Sequence, residues 1–124
     1  EFNNKNAAWV VKDHNNDALY FSRSVIPVVH RQENKEKWIE STLYYKHIGI
    51  YAYRKEFLLN LTKLSRTELE KAENLEQLRV LENGFKIRCV ETEYQAINVD
   101  IPEDVEKVIK AIKKDNIKPE QQNA

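Results

Sequence analysis

Glycine constrains this chain more than any other residue type, because Gly49 and Gly84 are the only two in 124 residues. A G-x-G-x-x-G turn needs three glycines and a P-loop needs a closely spaced pair. Backbone N–H groups reach a phosphate only where no Cβ intervenes and φ is free to turn positive. Neither loop can be written from this sequence. A nucleotide handled here would have to be gripped at its phosphates by something else. The chain also opens Glu1-Phe2-Asn3-Asn4 with no Met, which leads us to expect a fragment or processed product.

The length suits one compact domain with a real core. Twenty Lys+Arg balance twenty Asp+Glu, so no global positive field draws in nucleic acid or an anionic membrane. No apolar run approaches the roughly 20 residues of a membrane helix, and the start lacks a signal-peptide pattern. Cys89 stands alone, which excludes an internal disulfide and fits a reducing compartment.

Local chemistry predicts the elements. Ala7–Val11 and Ala18–Phe21 are β-prone runs split by the turn formers His14, Asn15, Asn16 and Asp17, a hairpin pattern. Arg31–Ser41 is charged and irregular, with one helical turn around Trp38. Tyr44–Tyr53 alternates as a strand, with Ile48, Ile50 and Ala52 on a core face and His47, Gly49, Tyr51 and Tyr53 opposite. Lys55–Leu61 should be a short helix. Thr67-x-x-Glu70 has capping-box spacing, and the helix it opens should break near Glu73-Asn74 and stop at Asn83-Gly84. Phe85–Val90 reads as a second strand. Pro102 with Glu103 and Asp104 marks another helix start, followed by Val105, Val108, Ile109 and Ile112 at helical spacing. From Asp115 the polar tail has nothing to bury and is expected to be disordered. The order of elements implies an α+β or mixed α/β unit.

Several groupings could carry chemistry. His47-x-Gly49-x-Tyr51 places an imidazole, a gap and a phenol on one strand face over roughly 13 Å at about 3.3 Å per residue. A polyhydroxylated or carboxylated ligand could lie over the glycine, or the face could be amphipathic cover on a half-exposed sheet. Glu76-Gln77 could receive sugar hydroxyls or form the wet side of a helix. Asp100 could offer an oxygen to a divalent cation, or compensate a helix dipole. Arg23 could pair with a carboxylate or sit as a solvated edge charge. Cys89 reads as a small core residue, and no nucleophile elbow is present.

Four blocks taken together are more specific: Ala18-Leu19-Tyr20-Phe21-Ser22-Arg23-Ser24-Val25-Ile26-Pro27, Tyr45-Lys46-His47-Ile48-Gly49-Ile50-Tyr51-Ala52-Tyr53-Arg54, Leu75-Glu76-Gln77-Leu78-Arg79 and Val99-Asp100-Ile101-Pro102-Glu103-Asp104. In order and spacing they resemble the 3-deoxy-manno-octulosonate (KDO) cytidylyltransferase family, the CMP-KDO synthetases, from about Asn3 to about Lys113. The family's P-A-R-x-x-S-x-R-x-P-G-K-P and Q-G-D-E-P segments have no counterpart here. The resemblance therefore covers only the family's C-terminal half.

That resemblance implies an α/β fold: the C-terminal half of a nucleotidyltransferase Rossmann-like mixed-sheet fold, with a dimerisation β-subregion. Residues 1–114 would be the sugar-binding and dimerisation portion, and 115–124 the tail. It implies that His47 and Tyr51 contact KDO, that Glu76 and Gln77 bond its hydroxyls, and that Arg23 faces the acidic sugar. Asp100 would hold Mg²⁺ as the catalytic metal-binding aspartate. Ile101 stands where Thr is usual, and either Arg31 or no residue fills the family's second arginine position. The implied activity is transfer of CMP from CTP to KDO for lipopolysaccharide synthesis, in a cytoplasmic homodimer with no nucleic-acid or membrane partner. The isolated half should be inactive. Alternatives are a cytidylyltransferase for 8-amino-KDO or sialic acid, or a non-catalytic dimerisation module.

Overall fold

Turn chemistry and apolar runs fold the first part of the chain as the sequence predicts. In the computed structural model, which describes residue 2, residues 7–93, residue 99 and residues 102–115, β1 (Trp9–Lys12) and β2 (Ala18–Ser22) form an antiparallel hairpin. The Asp13 carboxylate nucleates the turn by accepting the backbone N–H groups of Asn15 and Asp17, both at 2.8 Å. Asn16 takes the left-handed conformation at φ 63° that Asn tolerates. β3 (Tyr45–Lys46) pairs with the other edge of β1, giving the order β2-β1-β3.

As the central strand, β1 is covered on both sides, and Trp9 and Val10 are both buried. On one side Ala8, Val10, Ala18 and Phe21 pack with Leu75 and Leu78. On the other, Trp9 meets the rings of Phe2 and Tyr44 edge-on, and Tyr44 stacks on Trp38. Trp38 is the buried residue of a 3₁₀ helix over Lys35–Glu40, and its indole N–H donates to the Gln32 carbonyl at 2.7 Å.

The helices follow their signals closely. α1 spans Lys55–Leu61, α2 Glu68–Glu73 and α3 Gln77–Glu82. The expected break falls at Asn74, which is left-handed at φ 51°. Gly84 ends α3 at φ 77°, its N–H bonded to Leu81 O and the Phe85 N–H to Val80 O, the Schellman arrangement. The Glu70 carboxylate accepts the Thr67 N–H and is itself buried, held by Arg79 through Nε at 2.7 Å and through Nη2. Arg66 approaches the same carboxylate at 3.3 Å.

Two strand expectations need correction. Tyr44–Tyr53 is a strand only over Tyr45–Lys46, and the ladder is prolonged by one bond from the His47 N–H to Ala8 O at 2.8 Å. The Ile50 N–H then turns back to Ile48 O at 2.8 Å, a γ-turn centred on Gly49 that ends the pleat. Ile50 is consequently 81% exposed, Ala52 is exposed and Ile48 is only half-buried, so these residues do not form a core face. Phe85–Val90 likewise makes one isolated bridge, Asp17↔Arg88, in place of a strand. Its partner there is the hairpin turn, which offers Asn16 O and the Ala18 N–H but no extended edge. Asp17, buried beside that bridge, accepts from Arg88 Nε at 2.6 Å and Lys86 Nζ at 3.2 Å.

The chain divides into two compact units, Glu1–Glu91 and Thr92–Ala124. The second carries α4 (Pro102–Asp115), which opens on Pro102 with Glu103 and Asp104 in its first turn as predicted. Residues 116–124, and with them nearly all of the expected tail, lie outside the described residues. No helix among the described residues is long and apolar enough to cross a membrane.

Candidate functional site

The end of β2 is fastened to the corner between α2 and α3 by one carboxylate. Glu73, the last residue of α2, accepts Ser22 Oγ at 2.9 Å, the Arg23 N–H at 2.8 Å and the Tyr20 hydroxyl at 3.4 Å. Arg23 answers by donating Nε to Glu73 O at 3.3 Å and Nη2 to Asn74 O at 3.2 Å. A guanidinium at a helix C-terminus satisfies orphan carbonyls and opposes the negative end of the dipole.

The corner leads directly into two of the expected site residues. Glu76 is exposed at the start of α3, and Gln77 is 5% exposed. The Gln77 Nε2 is buried and has no hydrogen-bond partner among the described residues. Leu75 and Leu78, on either side, anchor this turn in the core against Phe21.

Across the core from that turn, the ring of His47 meets Phe21 edge-on at 5.3 Å. The Tyr51 hydroxyl lies 2.7 Å from His47 Nε2, and the two rings are 5.5 Å apart. The γ-turn at Gly49 thus gives a contact that a continuous pleat would not, since residues four apart on an extended strand are about 13 Å apart. Burial pushes the His47 imidazole below its ordinary value, and the positive Arg23 adds to that. Burial, then Tyr53, the Glu76 carboxylate and Cys89, push the Tyr51 phenol strongly upward. At neutral pH the pair is a neutral imidazole and an intact phenol. From Tyr51 a stacked aromatic series runs through Tyr53 to Phe57.

Arg23, His47, Tyr51 and Glu76 are therefore electrostatic neighbours, with Gln77 next in the chain to Glu76. Asp100 lies outside the described residues and is not placed. Arg31 is exposed. No group of three or more His, Cys, Asp or Glu among the described residues could hold a metal ion. The group offers donors and acceptors to a polar, oxygen-rich ligand but contains no activated nucleophile, and burial raises the lone Cys89 thiol. Sequence reasoning missed Glu73. The available signal was its place at a helix C-terminus, where an acid opposes the dipole and needs compensating donors.

Comparison with known proteins agrees with this architecture. A profile of the cytidylyltransferase family matches residues 1–87. A 3-deoxy-manno-octulosonate cytidylyltransferase of Parabacteroides distasonis is 50% identical over 106 residues, covering 86% of this chain and 42% of that protein. One from Fusobacterium nucleatum is 48% identical over 118 residues, covering 95% of this chain and 45% of that protein. A solved CMP:2-keto-3-deoxy-manno-octonic acid synthetase complexed with CTP superposes with a TM-score of 0.79 at 39% identity, covering 90% of this chain and 43% of the other. The chain spans less than half the length of these relatives. With the profile reaching from residue 1 through α3 and the fold shared, this chain belongs to the cytidylyltransferase family.

Proposed function

We propose that this chain supplies the sugar-binding portion of an enzyme that transfers CMP from CTP to KDO. In that reaction the anomeric hydroxyl oxygen of KDO bonds to the α-phosphorus of CTP. The α–β phosphoanhydride bond breaks, pyrophosphate leaves with its electron pair, and the hydroxyl proton is lost to solvent. Such chemistry depends on positioning and charge neutralisation more than on a covalent intermediate. The observation that carries the proposal is the buried Gln77 Nε2, without a hydrogen-bond partner among the described residues and next in the chain to Glu76, which with Tyr51, His47 and Arg23 forms the electrostatic group. A buried donor left open is satisfied when a ligand oxygen reaches it.

In this reading Gln77 donates to a sugar oxygen and Glu76 accepts from a hydroxyl. His47 fixes the Tyr51 hydroxyl toward the ligand, and Arg23 contributes positive charge to a region that receives a sugar acid. CTP would be held by residues outside this chain. Mg²⁺, when bound, would neutralise charge on the transferring phosphate, and Asp100 is the residue here that would give it an oxygen. Among the described residues no cluster of three or more His, Cys, Asp or Glu is built for an ion. The proposal extends to a cytoplasmic homodimer, as the family resemblance implies.

Turnover of CTP by the complete enzyme with KDO, 8-amino-KDO and sialic acid tests the reading. KDO should give the highest kcat/KM, and a preference for either competitor overturns it. Removing divalent cations with EDTA should abolish turnover and Mg²⁺ should restore it; turnover persisting in EDTA contradicts the metal assignment. The 124-residue chain alone should show none.

A further inference from the structure

We infer that Glu73 is a positioning residue for sugar binding: it holds Arg23 and the Asn74–Gln77 corner in place without touching the substrate. This rests on the sugar-binding role proposed above. Its carboxylate gathers Ser22 Oγ, the Arg23 N–H and the Tyr20 hydroxyl, all from the last part of β2 and the residue after it. Its own carbonyl, with that of Asn74, receives the Arg23 guanidinium. Each link joins β2 to the α2–α3 corner, with Ser22 buried at 3% exposure and Glu73 itself half-buried.

The consequence follows from the chain path. Asn74 is left-handed and breaks the helix, so the direction of Glu76 and Gln77 is set by how this corner is pinned. Arg23, pinned by the same residue, adds its positive charge to the effect of burial on His47. Loosening Glu73 should therefore displace the Arg23 charge and the Glu76-Gln77 pair together. A displacement of about 1 Å among positioned groups can cost about 100-fold in turnover efficiency.

The test compares Glu73→Gln and Glu73→Ala in the complete enzyme. Glu73→Gln keeps the volume and one acceptor oxygen but faces the Arg23 N–H with a second donor. We expect KM for KDO to rise about tenfold for Gln and about 100-fold for Ala, with KM for CTP within twofold of the parent. A histidine NMR titration of the same proteins should show the His47 midpoint move upward as the Arg23 charge withdraws. Unchanged KDO KM and unchanged His47 midpoint overturn the inference, as does a loss shared equally by both substrates and tracking thermal unfolding. If the parent enzyme does not turn over KDO at all, the sugar assignment fails first, and the His47 titration still decides whether Glu73 positions Arg23.

Discussion

The Tyr51 hydroxyl and His47 Nε2 are 2.7 Å apart, joined across the γ-turn at Gly49. A neutral imidazole with its proton on Nδ1 accepts the phenol proton in this contact, and an imidazolium, with both nitrogens protonated, cannot. Because burial and Arg23 depress the folded His47 value, folding favours the neutral ring. Above the unfolded value near 6.5 both states are neutral and the stability is fully present. Below it the unfolded chain takes up the proton first, so stability falls until the folded value is passed. Urea unfolding at pH 7.5 and 5.5 should show a larger loss in the parent than in His47→Asn. Equal losses would contradict the neutral pair.

Gln77 should trade stability against binding. Its buried Nε2 has no partner among the described residues, so Gln77→Leu removes an unsatisfied donor and should leave the unliganded fold as stable or about 1 kcal/mol more so. The same change should raise KM for KDO in the complete enzyme. A destabilised variant with unaltered KM would show that the amide serves packing alone.

Glu70 is the buried charge on which the α2–α3 pair depends, at 1% exposure. Its hydrogen bonds to the Arg79 guanidinium hold its carboxyl down to about 2. The lowered value stabilises the fold above the ordinary value near 4.5, and that contribution is lost as pH falls toward 2. Glu70→Ala leaves Arg79 without its counter-charge and should cost about 3 kcal/mol, read from urea unfolding. A cost under about 1 kcal/mol would place the pair effectively in solvent.

The two glycines should answer differently to alanine. Gly84 is left-handed at φ 77° with open space where a Cβ would stand, so Gly84→Ala should cost about 1–2 kcal/mol through backbone strain alone. Gly49 also has nothing within 4 Å of a built Cβ and no positive φ. Gly49→Ala should leave stability within about 0.5 kcal/mol of the parent. If KDO lies over this gap, its KM should rise; an unchanged KM would move the sugar elsewhere.

Signals completed within a few residues were legible in the sequence. Asn16 takes the left-handed turn position of the hairpin, Asn74 breaks the helix, Gly84 ends it and Pro102 starts α4, each through local hydrogen bonds or allowed φ. What depended on a distant partner was not. Ile48, Ile50 and Ala52 alternate correctly, but alternation supplies no ladder, and the paired edge of β1 runs out beside His47. Phe85–Val90 failed for the same reason, meeting a turn where a strand was needed. The candidate residues Arg23, His47, Tyr51, Glu76 and Gln77 were named from short blocks, yet nothing in those blocks shows that Glu73 ties Arg23 to the α2–α3 corner. Only tertiary contact reveals that residue's partners, 50 to 53 positions away.

Histidine-selective NMR of the complete enzyme during KDO addition, with the His47 signals assigned by a His47→Asn variant, tests the sugar-binding site most directly; this chain contributes His14, His30 and His47. The account predicts that the His47 ring signals shift with saturation at the KDO binding constant while His14 and His30, both exposed, stay in place. KDO turnover with an unmoved His47 would contradict it.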